Sequence, residues 1–178
     1  MVESPIEKYD RHLVETAKWL FRSIEHGNGG SCAFWSPFTG WSRPYPETSG
    51  YIIPTLFELS RSGIGEVAER ARTHAFGLGE WLREIQRPDG LWQGGLYSPK
   101  KPGEPSVFNT AQVLLGMCSL YRETADDVWL EAAVRGAARI ASNVRSDGHL
   151  KNGDYHEGFS PSYYTRVAWP MLEVATAA

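Results

Sequence analysis

A helical repeat of about sixty residues constrains this sequence more than any other feature. A glycine that follows an amphipathic stretch recurs at Gly30, Gly90 and Gly148, at intervals of 60 and then 58 residues. An internal period of this kind is typical of folds that stack one supersecondary unit on the next. The chain of 178 residues is therefore expected to form one domain of three repeats. Their approximate bounds are 1–62, 63–124 and 125–178.

Each repeat contains two predicted helices of different character. The helix before each glycine is amphipathic, with apolar residues at helical spacing over 13–24, 64–85 and 130–144. The helix after each loop is apolar on nearly every side, which is typical of a buried helix. These second helices are predicted at 48–60, 110–121 and 164–175. The pattern predicts an all-α fold of three helical hairpins in two layers, a partial (α/α) toroid.

Two prolines occupy equivalent places in the predicted inner helices, Pro54 and Pro170. A proline inside a helix lacks an amide proton and clashes with the preceding turn, at a cost of about 3 kcal/mol. Each proline is therefore expected either to open its helix at the first turn or to kink it.

Composition argues against several classes of protein. A net charge of −3 and a pI near 6.0 do not suit nucleic-acid binding, which needs a basic face. The sequence has no apolar run of membrane-spanning length and does not begin like a secretory signal, so we expect a cytoplasmic protein. Cys32 and Cys118 are too few for a disulfide framework. Cys118 lies in an apolar stretch without a nearby histidine, so neither a metal nor another cofactor is expected.

Two sets of residues resemble known toroid families. The segment Trp81-Leu82-x3-Gln86-x3-Gly90-Leu91-Trp92 resembles the QW repeat of squalene and hopene cyclases, although Phe76 stands where that family has Arg or Lys. Residues 45–56, 107–114 and 163–169 look similar to poorly characterised bacterial and archaeal proteins associated with polysaccharide biosynthesis and related to the six-hairpin glycosidases. The resemblance implies a toroid scaffold and a carbohydrate ligand, and fold alone does not fix the chemistry.

Toroids of these families are about twice as long as this chain. Three hairpins would leave the inner helices open on one side, and an exposed apolar edge needs a cover. We therefore expect either a homodimer of two half-toroids or a piece of a longer toroid.

Aligning the repeats on Pro54, Gly116 and Pro170 places polar residues at equivalent positions where the inner helices begin. Helix N-termini carry unpaired amide groups that favour anionic ligands. The residues there could therefore bind a sugar hydroxyl or carboxylate. One position holds Glu47, Asn109 and Tyr163, the next holds Thr48, Thr110 and Tyr164, and a third holds Gly50, Gln112 and Arg166.

Acid–base chemistry is assigned to three residues, Glu47, His156 and Tyr164. His156 lies in a polar loop and titrates near neutrality. Each residue also has a structural interpretation: a favourable acid in a first helical turn for Glu47, a solvated loop for His156, and core packing or capping for Tyr164.

Substrate binding is assigned to aromatic loop residues and to the polar residues of the inner helices. Aromatic rings stack on sugar faces and equally well on each other, whereas the fixed charge of Arg166 suits a carboxylate. The set is Trp35, Trp41, Tyr45, Trp92, Asn109, Gln112, Tyr163 and Arg166.

Two classes of function remain open. The first is an enzyme acting on an acidic glycan as a hydrolase, lyase or epimerase. The second is a non-catalytic glycan-binding or assembly protein on a toroid scaffold. Terpene cyclisation is not favoured, because the acidic pair Asp126-Asp127 stands at the start of a predicted helix, where acidic residues are usual.

Overall fold

The computed structural model describes residues 5–148, 150 and 165–178, with the backbone alone for residues 5–10. Over these residues the chain forms helices that alternate between two layers. The outer, amphipathic helices are α1 (Pro5–His26), α3 (Gly65–Glu84) and α5 (Asp127–Ser142). The inner helices are α2 (Pro46–Ser60), α4 (Val107–Thr124) and α6 (Thr165–Ala177). The predicted all-α fold of three helical hairpins in two layers, a partial (α/α) toroid, is confirmed.

Helix α4 lies at the centre of the described fold. It packs between α2 and α6 within the inner layer, and α3 and α5 of the outer layer cover it. Its side chains from Val107 to Cys118 are buried apart from Phe108, which is half-buried. Because the helix is enclosed on nearly every side, its sequence has no polar face.

Two short β-hairpins, which no pattern in the sequence predicts, lie in the loops that lead to α2 and α4. β1 (Trp35–Ser36) pairs antiparallel with β2 (Gly40–Trp41), and β3 (Trp92–Gln93) pairs antiparallel with β4 (Pro105–Ser106). Strands of two residues are too short to show an alternating pattern. The hairpins set the course of the chain towards the first turns of α2 and α4.

Both prolines of the inner helices lie inside their helices, so neither opens its helix. α2 begins instead at Pro46, and proline is favoured at this first helical position because its missing N–H would be unpaired there anyway. Pro54 has no N–H to bond the carbonyl of Gly50, one turn earlier. Gly50 in turn lies against α4.

Residues of the QW-like segment tie α3 to its surroundings. Trp92 is fully buried, and its indole N–H donates to the carbonyl of Leu82 at 2.7 Å. The side-chain amide of Gln86 donates to the carbonyls of Gly90 and Ala132, both at 2.9 Å. Ala132 belongs to α5, so the segment links two outer helices and the loop between α3 and α4.

Both cysteines are free and buried. Burial raises the pKa of the Cys118 thiol to about 11. A thiol with so high a pKa is a poor nucleophile, so Cys118 acts as a small apolar residue within α4. No helix in the described ranges is both long and apolar enough to cross a membrane.

Candidate functional site

The structure brings three of the predicted site residues together where α2 and α4 begin. The hydroxyl of Tyr45, directly before α2, hydrogen-bonds with the side chains of Glu47 and Asn109 and with the backbone of Gly95. Glu47 lies in the first turn of α2, and Asn109 lies in the first turn of α4. We call Tyr45, Glu47 and Asn109 the mouth cluster.

Two opposing influences act on the Tyr45 hydroxyl. Burial raises the pKa of Tyr45, and so do the hydrogen bond to Glu47 and its negative charge. The hydrogen bonds with Asn109 and with the backbone of Gly95 lower it, and the net direction is upward. Tyr45 is therefore a protonated donor at neutral pH, with Glu47 as an acceptor beside it.

Asn109 is held in place by the hairpin before α4. Its backbone N–H donates to the Ser106 hydroxyl at 3.1 Å, which is the N-cap contact of this helix. The same hydroxyl donates to the side-chain oxygen of Asn109 at 3.1 Å, and the amide nitrogen donates to the carbonyl of Gln93 at 3.4 Å. With only 5% of its surface exposed, Asn109 presents a fixed amide to Tyr45.

A groove of about 440 Å³ lies between the inner helices α2, α4 and α6. Tyr51 of α2 stands one helical turn after Glu47, so both lie on the same face of the helix. The opposite wall is α6, where Arg166 and Trp169 line the groove. Arg166 is exposed, and the indole of Trp169 is half exposed, at 52%. An aromatic ring and a cation one turn apart suit the face of a sugar and its carboxylate.

An ion pair closes one end of this groove. Arg122 of α4 contacts Glu173 of α6 at 2.7 Å, and the indole N–H of Trp169 donates to the same carboxylate at 3.1 Å. The hydrogen bond from Arg122 is the main cause that lowers the pKa of Glu173. Glu173 is therefore a carboxylate at neutral pH and fixes the ring of Trp169.

Two predicted binding residues make structural contacts instead. The ring of Trp92 has no exposed surface, so no ligand reaches either face. Gln112 is 1% exposed, and its amide donates to the backbone carbonyl of Arg166 at 3.3 Å. Gln112 thereby joins α4 to α6, and it positions the backbone of the residue whose side chain lines the groove.

The two tryptophans of the first hairpin differ in their surroundings. The ring of Trp41 packs against Trp19 at 5.2 Å and against His26 at 5.6 Å, measured between ring centroids. This is the ring-on-ring packing that competes with sugar stacking. Trp35 faces Trp41 across the strands and is 52% exposed, so its ring is open to a ligand.

Three predicted residues, His156, Tyr163 and Tyr164, lie outside the described residues. Within the described part of the chain, no group of His, Cys, Asp and Glu side chains is arranged to hold a metal ion.

The groove residues Tyr51, Arg122, Trp169 and Glu173 were not predicted from the sequence. Trp169 could have been found, because it follows Arg166 by three residues and so shares its helix face. The pairing of Arg122 with Glu173 could not, because 51 residues separate them and the surrounding pattern is apolar.

Comparison with known proteins supports the fold. No protein-family model matches the sequence, and no curated protein matches it. Among solved structures, the chain is similar to a Klebsiella pneumoniae subsp. pneumoniae MGH 78578 protein described as "a possible member of GH105 family", with a TM-score of 0.65 and 15% identity. The similarity covers 94% of this chain and 49% of that chain. It shows a toroid-like fold, and this chain spans about half the length of that structure.

Proposed function

We propose that the chain acts on an acidic glycan, as a hydrolase, lyase or epimerase in polysaccharide biosynthesis or modification. The observation that carries this proposal is the mouth cluster, in which a protonated Tyr45 and the carboxylate of Glu47 share a hydrogen bond where the inner helices begin. The solved structure of similar fold, described as a possible GH105-family member, adds weight to a sugar substrate.

The mouth cluster supplies both halves of acid–base catalysis. Glu47 accepts a proton from the sugar or from water, and Tyr45 donates one to the leaving oxygen. For a lyase or an epimerase, the proton removed is the one next to the sugar carboxylate, and the charge that develops there needs a nearby donor or cation. Tyr45 is a candidate donor for that charge, and Asn109 holds its hydroxyl in place. His156 and Tyr164 are proposed as further acid–base groups.

Binding is assigned to the groove and the first hairpin. Arg166 would hold the sugar carboxylate, and Trp35 would stack on a neighbouring sugar ring. Tyr45, positioned by Asn109, would bind a hydroxyl group, with Tyr163 as a further proposed contact. The surroundings of this site are held in place by the ring packing of Trp41 and by the hydrogen bonds of Trp92 and Gln112.

The second candidate is a non-catalytic glycan-binding or assembly protein. One observation favours it: Arg166 and Trp169 are exposed along the groove between α2, α4 and α6. An open groove can bind a sugar without excluding water.

We propose that the protein is cytoplasmic and that it forms a homodimer. The two free, buried thiols support the first, because disulfides are rare in the reducing cytoplasm. The homodimer is proposed because a second set of hairpins would cover the apolar edge of the inner helices.

The test compares binding and turnover on a panel of oligosaccharides with and without uronic acids. Glu47→Gln should abolish turnover and keep affinity, because it removes the proton acceptor and preserves the shape. Arg166→Gln should weaken binding of acidic oligosaccharides about tenfold or more and leave neutral ones unchanged. Glu58→Gln, in the same helix as Glu47 and paired only with Arg61 at the surface, is the matched control.

The outcomes separate the two candidates. Turnover that survives Glu47→Gln would contradict the assignment of Glu47 as the proton acceptor. Affinity lost on Glu47→Gln, with no turnover by the wild type on any sugar, would identify the binding protein. Failure to bind any oligosaccharide of the panel would overturn both.

A further inference from the structure

The loop of the second hairpin, residues 94–104, carries two adjacent lysines at its tip. Lys100 and Lys101 are both exposed, and a proline stands on either side of the pair. Two lysines and one glutamate, Glu104, give this loop a net charge of +1, whereas the whole chain has a net charge of −3. The loop is therefore a basic feature on an acidic protein.

Hydrogen bonds at the base of this loop hold its two ends together. The side-chain amide of Gln93, which is 5% exposed, donates to the carbonyl of Leu96 at 3.3 Å. Its side-chain oxygen accepts from the N–H of Gly103 at 3.1 Å, and the N–H of Gly94 donates to the carbonyl of Glu104 at 2.8 Å. The two prolines beside the lysines each have a φ angle fixed by their rings. The backbone that carries the lysines is therefore restrained from both ends.

The same loop lies beside both the mouth cluster and the end of the first hairpin. The backbone of Gly95 hydrogen-bonds with the hydroxyl of Tyr45. Two residues further on, the N–H of Tyr97 donates to the carbonyl of Pro44 at 2.8 Å, next to the exposed side chain of Arg43. The first lysine follows Tyr97 by three residues, a reach of at most about 11 Å along the chain. The loop therefore runs from the mouth cluster past an exposed arginine to its own two lysines.

We call Arg43, Lys100 and Lys101 the basic rim. No carboxylate in the described ranges forms an ion pair with any of these three side chains. By contrast, Arg70 and Arg83 of α3 are each paired with a glutamate. A group of cations without such partners attracts anions from solution and raises their local concentration.

We propose that the basic rim binds the part of an acidic glycan chain that extends beyond the mouth cluster. The inference rests on the function proposed above and names the substrate as a chain with carboxylates on several of its sugars. Each exposed ionic contact is weak on its own, so only a chain with several anionic groups gains from all three cations. A glycan is favoured over other polyanions because the rim adjoins the mouth cluster through Gly95, and because the first hairpin also exposes the ring of Trp35 for stacking.

The experiment compares a short and a long ligand of the same chemistry, a uronic-acid disaccharide and the polymer alginate, by titration calorimetry at low salt. The wild type should have a higher affinity for alginate, per disaccharide unit, than for the disaccharide. This difference should shrink as salt is added, because salt screens exposed charges. Lys100→Gln together with Lys101→Gln should weaken alginate binding about fivefold and leave disaccharide binding unchanged. Adding Arg43→Gln should weaken alginate binding about twofold further.

Arg61→Gln together with Arg72→Gln is the charge-matched control. It also removes two positive charges, and both side chains lie near the carboxylate of Glu123 at the last turn of α4, at the opposite end of the inner helices from the mouth cluster. This double variant should bind alginate as the wild type does. Far-UV circular dichroism shows that each variant is folded.

Two results would overturn the basic rim and leave the proposed function intact: equal affinity of the wild type for disaccharide and alginate, or a folded rim variant that binds alginate as the wild type does. A wild type that does not bind the disaccharide, together with alginate binding that Arg166→Gln leaves unchanged, would instead contradict the proposed function and the rim with it. Single-stranded DNA that binds as tightly as alginate would overturn the assignment to a glycan, since it would indicate a surface for polyanions in general.

Discussion

Gly116 of α4 lies directly against the backbone carbonyl of Gly50 in α2: a Cβ atom on Gly116 would stand 2.5 Å from that oxygen. The reverse contact is equally close, because a Cβ on Gly50 would stand 2.5 Å from the Cα of Val113. The two inner helices therefore meet backbone to backbone. Pro54 takes part indirectly, since it provides no N–H for the Gly50 carbonyl.

Substituting Gly116 by alanine should destabilise the protein by about 1–3 kcal/mol or more, because a methyl group placed against backbone can be accommodated only by moving a helix. The free energy of unfolding in urea measures the effect. Gly77→Ala in α3 is the matched control. A Cβ there meets nothing within 4 Å, so alanine should stabilise the helix by about 0.5–1 kcal/mol. Equal effects of the two substitutions would contradict the close packing of α2 and α4.

Gln86→Ala should cost about 2 kcal/mol of unfolding free energy, because it leaves the carbonyls of Gly90 and Ala132 without their donor. It also removes the acceptor for Arg135, which hydrogen-bonds to the side-chain oxygen of Gln86. Chemical denaturation again provides the measurement. Glu84→Ala, on the exposed side of the same helix end, should change stability by less than about 0.5 kcal/mol. If Gln86→Ala were as stable as the control, the hydrogen bonds from Gln86 to Gly90 and Ala132 would not contribute to the stability of the fold.

The stability of the fold should fall below about pH 6.5 because of His74. Burial, with the ring of Phe21 at 5.0 Å, lowers the pKa of His74 from 6.5, and the charge of nearby Glu25 only partly opposes this. A depressed pKa means that the unfolded chain binds the proton first. The stability that neutral His74 confers is therefore complete above pH 6.5 and is lost as the pH falls through the folded value.

His74→Gln removes this titration and should flatten the curve of melting temperature against pH between about pH 7.5 and pH 5.5. His12 is exposed, so the control variant His12→Gln should follow the wild-type curve. Parallel curves for the wild type and His74→Gln would show that His74 does not contribute to the loss of stability in acid.

Much of the fold could be predicted from periodicity, because an amphipathic outer helix and an apolar inner helix differ in pattern. The predicted stretch 64–85 became α3, Gly65–Glu84, within one residue at each end. The start of α2 was predicted two residues late, at Thr48, because the favourable role of Pro46 at the first helical position was not used. The contact between Gly50 and Gly116 could not be predicted, since it depends on how two helices cross.

Less of the candidate site than of the fold could be predicted from the sequence. Aligning the repeats placed Glu47 and Asn109 at equivalent positions, and the structure brings both to the hydroxyl of Tyr45. The same alignment could not separate side chains that face the groove from those that face the next helix. Gln112 and Arg166 stand at equivalent positions, yet one is buried between helices and the other is exposed. The crossing angles of the helices, which the sequence does not encode locally, decide between these outcomes.

The geometry of the mouth cluster can be tested through the titration of Tyr45, without any substrate. Replacing Glu47 by glutamine removes a negative charge that holds the proton on Tyr45, so the pKa of Tyr45 should fall towards its usual value of 10. Replacing Asn109 by leucine removes a hydrogen bond that lowers this pKa, so the titration should move further upward. Phenolate absorbance followed against pH measures both shifts, and a Tyr45→Phe background identifies which of the eight tyrosines moves. Glu58→Gln should leave the curve unchanged, and shifts of the same sign for Glu47→Gln and Asn109→Leu would contradict the opposing roles of these two neighbours.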